Sequence, residues 1–597
     1  MQGAGLEWPS CKGLSREGTR IGFFSRFRAE GTVRRSAGSD AGLVRPVGDP
    51  PSRDRPTRLR MAGLAASITL AVSAYRAGAL PAGDADAAVL PGGPQAVPWS
   101  YWLGLAGWVA GLVALTVTWW RLGVRVRRRP ASVPLGWLLR TGLLWATPLL
   151  VAPPVGSRDA YAYACQGALW LDGVDPYSVG VQPGGCVWSA AVPVLWRDTT
   201  TPYGPLAVAL AGAAVAVARL VTTSTDGQLL VTIALLRAEA LAGVVLVAGC
   251  LPRLARAGGV DPVRAAWLGL VSPLVLVHAL GGAHNDALVL GLVVAALSLA
   301  AGGSSAFGAG RAGLVTGALL GLAVAIKVTA IVALPFALLL TTIRLTTIRL
   351  TSVSLSRVQP GRAPDSAGPT GADRAGRRPA VWRARLPGVL LDRRLVAVSG
   401  AGGLAGAGLA FAGVTLATGL DLGWISALSG TGRLVQWTSV PSGLGMAAGY
   451  LLRLAGRPEA VDGAVAAARL LGLVALTGTL AALLVRAGRA GSAPDRTRAR
   501  RRLVTITGVA FTALALLSPI FYPWYGLTAV TVLAAGLSAR RWVHRVAVAV
   551  IVLSFLVLPS GLGLAVLTKL PGALLDVALL LVLAAVAYRR WRSRRRS

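Results

Sequence analysis

The chain has 597 residues, is 54% hydrophobic and only 14% charged, with a mean hydropathy of +0.62, whereas soluble domains carry about 25% charge. These figures exclude an ordinary soluble globular protein. The net charge of +36, from 60 Lys+Arg against 24 Asp+Glu, would suggest nucleic acid in a soluble chain, but here the basic residues sit in tails and short loops between apolar runs, which is the positive-inside pattern of a polytopic membrane protein.

Residues 1–60 are rich in Arg, Gly, Ser and Pro and contain no apolar signal core. They read either as a disordered cytoplasmic tail or as sequence upstream of a start at Met61. Apolar runs then recur near 61–80, 100–120, 132–151, 228–250, 265–281, 286–302, 312–326, 328–343, 394–418, 462–485, 503–519, 523–537, 542–560 and 571–588. The expected fold is all-α, with about fourteen transmembrane helices. Placing the Arg clusters 125–129, 253–264, 344–394, 486–502, 540–545 and 589–596 on the cytoplasmic side puts both termini there too. The apolar runs 205–221 and 441–455 must then not cross, and are expected as helices at the outer interface. The chain divides into an N-terminal half, 61–343, a Pro/Gly/Arg-rich cytoplasmic loop, 344–393, and a C-terminal half, 394–597. A tandem TTIRL repeat at 341–350 leads into that loop and carries no chemistry.

Polar groups gather on the predicted outer face. The loop 152–227 is the longest there, and begins with Arg158, Asp159, Tyr161 and Tyr163. Asp172, Asp175, Tyr177, Arg197, Asp198 and Tyr203 follow. Aromatic faces and carboxylates suit a sugar, and guanidinium forks match phosphate oxygens. The same residues read equally as interfacial anchors, and DGVDPY (172–177) as a turn. A second group, His278 and His284-Asn285-Asp286 in HALGGAHND, sits beside spans where polar side chains are costly unless used or paired; helix capping is the alternative. Lys327 lies between two apolar runs, where it neutralises a lipid phosphate or simply snorkels. Arg433 with QWTSVPSGLG (436–445) and the Pro-broken SPIFYPWY (518–525) complete the set. Within the runs, Arg76, Arg140, Arg237 and Glu239 are exceptional; either Arg237 and Glu239 pair, or Arg140 and Arg237 lie near span ends.

Four cysteines and three histidines show no metal-ligand spacing, so no metal site and no cofactor is expected. Cys165 and Cys186 share the outer loop, where an oxidising environment permits a disulfide.

The segments SRDAYAYACQG, DGVDPYSVG, LWRDTTTPYGPL, SPLVLVHALGGAHNDAL, IKVTAIVALPF, TSVPSGLG and SPIFYPWY together resemble the actinobacterial polyprenol-phosphomannose-dependent α-1,6-mannosyltransferases, of the GT-C class of membrane glycosyltransferases. The resemblance covers Met61 to the C-terminus apart from 344–393. It implies transfer of mannose from polyprenyl phosphomannose to a mannan or lipoglycan acceptor at the outer face of the cell membrane, with inversion and an α-1,6 linkage. It implies Asp159 as catalytic base. Arg158, Tyr161, Tyr163, Asp175, Tyr177, Arg197, Asp198, Tyr203, His284, Asn285, Asp286, Lys327 and Arg433 are then the candidates for holding donor and acceptor. Alternatives are a transferase of another polyprenyl-phosphate sugar, such as arabinofuranose, and a lipid or sugar flippase, whose interrupted apolar segments would look similar.

Overall fold

A computed structural model describes residues 54–81, 98–128, 132–302, 309–343, 393–430, 434–491 and 495–596. The expected tail up to residue 53, most of the loop 344–393, and Arg433 lie outside these residues. Within them the secondary structure is helical apart from one isolated bridge, Val557 to Gly563.

The apolar runs become helices. The N-terminal half contains α1 (Asp54–Ala77), α2 (Trp99–Arg128), α3 (Leu135–Val151), α4 (Asp159–Leu171), α5 (Pro205–Val221), α6 (Thr225–Ala257), α7 (Pro262–Gly269), α8 (Asp286–Gly302) and α9 (Ala309–Ile326), then α10 (Val328–Ile343). The C-terminal half contains α11 (Arg393–Thr418), α12 (Gly423–Gly430), α13 (Val440–Leu454), α14 (Val461–Gly491), α15 (Arg496–Leu517), α16 (Gly526–Gly536), α17 (Arg540–Ser554) and α18 (Lys569–Arg596). Side-chain caps start several of them: Ser224 on α6, Asp261 on α7, Ser439 on α13 and Asp495 on α15 each accept a backbone N–H of the first turn, satisfying donors the helix itself leaves open.

Among the described residues five helices, α2, α6, α11, α14 and α18, are long and apolar enough to cross a membrane, and a bent pair ending in α8 makes a sixth if it is one span. The other runs expected as crossings form helices that are shorter or more charged, so helix length and composition support fewer crossings than the fourteen expected from the hydropathy of the sequence.

Small residues let two helices meet closely. Gly313, Gly317 and Gly321 of α9 face the backbone of Ser399, Gly403 and Ala407 on α11. A Cβ at Gly317 would run into the Gly403 carbonyl oxygen, which is backbone and cannot swing aside. This is the small-xxx-small packing that brings membrane helices together when no hydrophobic force separates protein from lipid. Gly317→Leu should therefore lower stability by about 3 kcal/mol, read as a fall in thermal midpoint of the detergent-purified protein; an unchanged midpoint would mean that the two helices are not held by this contact.

The bent pair positions the site. Val275–Gly281 winds as a π-helix, then the chain turns through 113° into α8. Ala283 has φ +51°, the one positive-φ residue other than glycine among the described residues. Such backbone strain persists only where the surroundings enforce it, and it clusters at functional sites. Arg237, midway along α6, donates to the carbonyls of Leu150 at 3.1 Å and Gly281 at 3.3 Å. Neither sequence alternative holds: Arg237 lies mid-helix and braces the ends of other elements, and Glu239 does not pair with it, its Oε1 being buried without a hydrogen bond.

The helices also give the molecule two chemically distinct ends. α6 starts beside the loop between α4 and α5, where Trp188 Nε1 donates to the Thr225 carbonyl. It ends 33 residues later, about 50 Å away at 1.5 Å per residue. The Arg clusters expected on one side meet at that far end: Arg127 lies over Trp267 at 4.6 Å, Arg264 donates to the Leu537 carbonyl at 2.7 Å, and the backbone of Arg501 abuts Gly258.

Candidate active site

Asp159 is the first residue of α4, next to the Ser157 hydroxyl, which accepts the Asp159 backbone N–H at 3.0 Å. Its side chain is 16% exposed and opens on a cavity of about 320 Å³. Ser157, Trp196, Gln436, Tyr522 and Trp524 share the lining, and Asp159 is the sole carboxylate among the described lining residues. Burial is the dominant influence on it and pushes its pKa up from 3.8 to about 6, against the opposing pull of Lys327 and Ser157. Removing a carboxylate from water disfavours its charged form.

Behind Asp159 stands a polar wall from the strained turn. His284 Nδ1 lies 3.5 Å from the Asp159 carboxylate, without hydrogen-bond alignment. The His284 ring stacks on Trp524 with centroids 4.1 Å apart, and Trp524 stacks on Tyr522 at 4.5 Å. The Tyr163 hydroxyl donates to Asn285 Oδ1 at 3.4 Å. Lys327 Nζ donates to both Asp286 carboxylate oxygens, at 3.0 and 2.8 Å, and sits over the Tyr525 ring at 4.5 Å. Tyr203 meets Tyr163 edge-on at 5.1 Å. An ion pair at this depth holds its geometry because neither charge has water to fall back on.

Tyr163, Tyr203, His284, Asn285, Asp286 and Lys327 are thus brought together around Asp159. Of the other candidates, Arg158 also lines the cavity, and the rest are engaged elsewhere. Arg158 is buried and donates to the carbonyls of Ala191 at 2.9 Å and Leu80 at 2.8 Å. Arg197 donates to those of Val192 at 2.9 Å and Ala190 at 2.8 Å. Both arginines pin irregular loop backbone that lacks helical partners. The Tyr161 hydroxyl donates to the Ala79 carbonyl at 2.6 Å. Asp175 accepts the Tyr177 backbone N–H at 2.9 Å, as the turn reading of DGVDPY expects. Tyr177 packs with Val208, Leu420 and Trp424, and Asp198 ends a short helix, Val194–Arg197. Cys165 and Cys186 form a disulfide.

Gln436, Tyr522 and Trp524, which also line the cavity, were not named individually among the expected ligand residues. Their signal was present in SPIFYPWY and QWTSVPSGLG, and the structure shows how the two segments join. The Thr438, Ser439 and Ser442 hydroxyls donate to the carbonyls of Phe521, Ser518 and Pro519 at 3.1, 2.6 and 2.6 Å. Pro519 and Pro523 break the helix and bring those carbonyls out of any i→i+4 ladder, so the hydroxyls of the neighbouring segment take them.

A helical membrane protein with one buried acid on a polar, aromatic-walled cavity has the makings of a membrane glycosyltransferase. Residues 60–343 match the N-terminal domain of the alpha-(1->6)-mannopyranosyltransferase family, and residues 441–589 match the MptB C-terminal domain. The chain is 31% identical over 443 residues to alpha-(1->6)-mannopyranosyltransferase A of Mycobacterium tuberculosis, covering 73% of this chain and 72% of that one. It is 27% identical over 558 residues to alpha-(1->6)-mannopyranosyltransferase B of Corynebacterium glutamicum, covering 89% and 82%. A probable alpha-(1->6)-mannopyranosyltransferase of Mycolicibacterium smegmatis is 28% identical over 569 residues, covering 90% and 89%. No solved structure matches the fold. The chain belongs to the alpha-(1->6)-mannopyranosyltransferase family and is a membrane glycosyltransferase.

Proposed function

We propose that the protein transfers mannose from polyprenyl phosphomannose to a hydroxyl of a mannan or lipoglycan at the outer face of the cell membrane, inverting the anomeric centre and forming an α-1,6 linkage. The observation that supports this most directly is the single carboxylate on the cavity, Asp159. Inversion by one displacement needs one base. The acceptor's C6 hydroxyl attacks the anomeric carbon, Asp159 takes its proton, and the bond from that carbon to the phosphate oxygen breaks with the electron pair leaving on polyprenyl phosphate. A phosphate monoester leaves without protonation, so no second acid is called for.

The wall residues have roles in the same step. His284 and the Lys327–Asp286 pair hold the charge around Asp159. Tyr522 and Trp196 offer aromatic surface to the apolar face of a pyranose. Arg158 and Arg197 act as clamps on the loop that carries Trp196. The donor and linkage are tested together by supplying labelled polyprenyl phosphomannose and a short α-1,6-mannoside to membranes holding the protein, with arabinofuranosyl donor in parallel. A labelled α-1,6-linked product is expected from the mannosyl donor; product from the arabinofuranosyl donor alone would overturn the assignment.

The pKa of Asp159 sets the pH dependence. A base works ionised, and this carboxyl holds its proton up to about 6 rather than 3.8. kcat/KM should therefore climb about tenfold per pH unit below 6 and level off above it. A profile flat from pH 5 to 7 would remove this group from the rate equation.

A further inference from the structure

At the end of the molecule remote from Asp159, α14, α15, α16 and α17 enclose a second cavity, of about 590 Å³. Five arginines line it, Arg486 and Arg489 from α14 and Arg498, Arg501 and Arg502 from α15, and no carboxylate does. Asp495 caps α15 and lies 3.7 Å from Arg498. Among the described residues, Arg486, Arg489, Arg501 and Arg502 have no ion pair and no side-chain hydrogen bond.

The placement is unfavourable for the protein alone. α15 opens RTRARRR, which sets five guanidinium groups in its first two turns, where the helix macrodipole is already positive. Topology signalling needs basic residues near this end, but does not need them to converge from two helices on one cavity. Apolar surface is also at hand: Trp542 lines the cavity and is exposed, as are Leu484 and Val485 next to Arg486 in α14 and Val509 further along α15, surface along which acyl chains can lie.

We propose that this cavity binds the phosphate headgroup of an anionic phospholipid from the adjacent leaflet. The guanidinium forks take the phosphate oxygens, and the apolar surface favours a lipid over free phosphate. This site is separate from the mannosyl-transfer cavity, and its test does not depend on that reading.

The test measures binding of fluorescent phosphatidylglycerol to the detergent-purified full chain, with phosphatidylcholine and inorganic phosphate as competitors. Arg501→Gln/Arg502→Gln should bind about 30-fold more weakly. Arg486→Gln/Arg489→Gln reaches the same cavity from α14 and should do likewise, which covers the case in which one variant misfolds. Arg540→Gln/Arg541→Gln, at the same end but outside the lining, should bind within threefold of wild type. Equal losses in all three would overturn the proposal in favour of diffuse surface charge. So would phosphatidylcholine competing as well as phosphatidylglycerol. Displacement by inorganic phosphate at lipid-like concentration would replace the lipid with a soluble phosphate.

Discussion

Asp159→Asn should leave a folded, membrane-inserted protein and lower mannosyl transfer by about 10³-fold, the range lost with a general base. Asn keeps the shape of the carboxyl and its place beside the Ser157 hydroxyl and the His284 ring. It loses the ability to accept a proton. The loss should fall on kcat with KM little changed, because the proton moves only in the transition state. The pH limb near 6 should vanish with it, since the titrating group is gone. The measurement is a full rate profile on matched membrane amounts of the two proteins. Wild-type turnover by the Asn variant would take the base role away from Asp159, and among the described residues no other acid lines the cavity to inherit it.

The second large effect concerns Lys327 and Asp286. Both side chains are 10% exposed and joined at 2.8 Å. Lys327→Met strands a buried carboxylate and should lower stability by about 3–5 kcal/mol. Asp286→Asn strands the ammonium and should cost a similar amount. The double variant removes both charges, so most of the loss should return: the pair's attraction goes, but so does the cost of an unpaired buried ion. Thermal unfolding of the four proteins reads this directly. Simple addition of the two single losses would show that the charges do not interact. Transfer by the double variant separates a structural pair from one that positions donor, since only a positioning pair would leave a stable protein without activity.

Much of the helical framework was legible because apolar runs of span length leave the backbone little alternative to a helix. The number of crossings was not, because hydropathy windows do not distinguish a helix such as α16, of 11 residues, from one that runs the full membrane thickness. The polar turn HALGGAHND was legible from composition alone: three polar side chains beside spans need a reason. Its geometry was not. A sequence does not show that Gly281 and Gly282 would be followed by an Ala at φ +51°, or that a π-helix would precede them. Arg158 and Arg197 mark another boundary of what a sequence tells. Their residue type suits phosphate, but loop carbonyls that no helix satisfies occupy their forks, and those carbonyls are visible only in three dimensions. Trp524 was missed for a related reason: in a Pro-broken turn its partners are His284 and Tyr522, one distant in the chain.

The disulfide sorts the walls of the Asp159 cavity into fixed and adjustable ones. Cys165 lies within α4 and Cys186 in the loop that continues to Trp196. The guanidinium groups of Arg158 and Arg197 hold the same loop at Ala190, Ala191 and Val192. A stretch so tethered is not free to swing away as a flap. The facing wall, Gly561 to Val566 with Leu434 and Gln436, has no covalent tie, and Gly561 there adopts φ +107°, a conformation that glycine takes without strain. Under the proposed transfer to a glycan, entry and release of a long acceptor would fall to that side, so substitutions in the loop between α17 and α18 are the ones that would change how many residues are added per encounter.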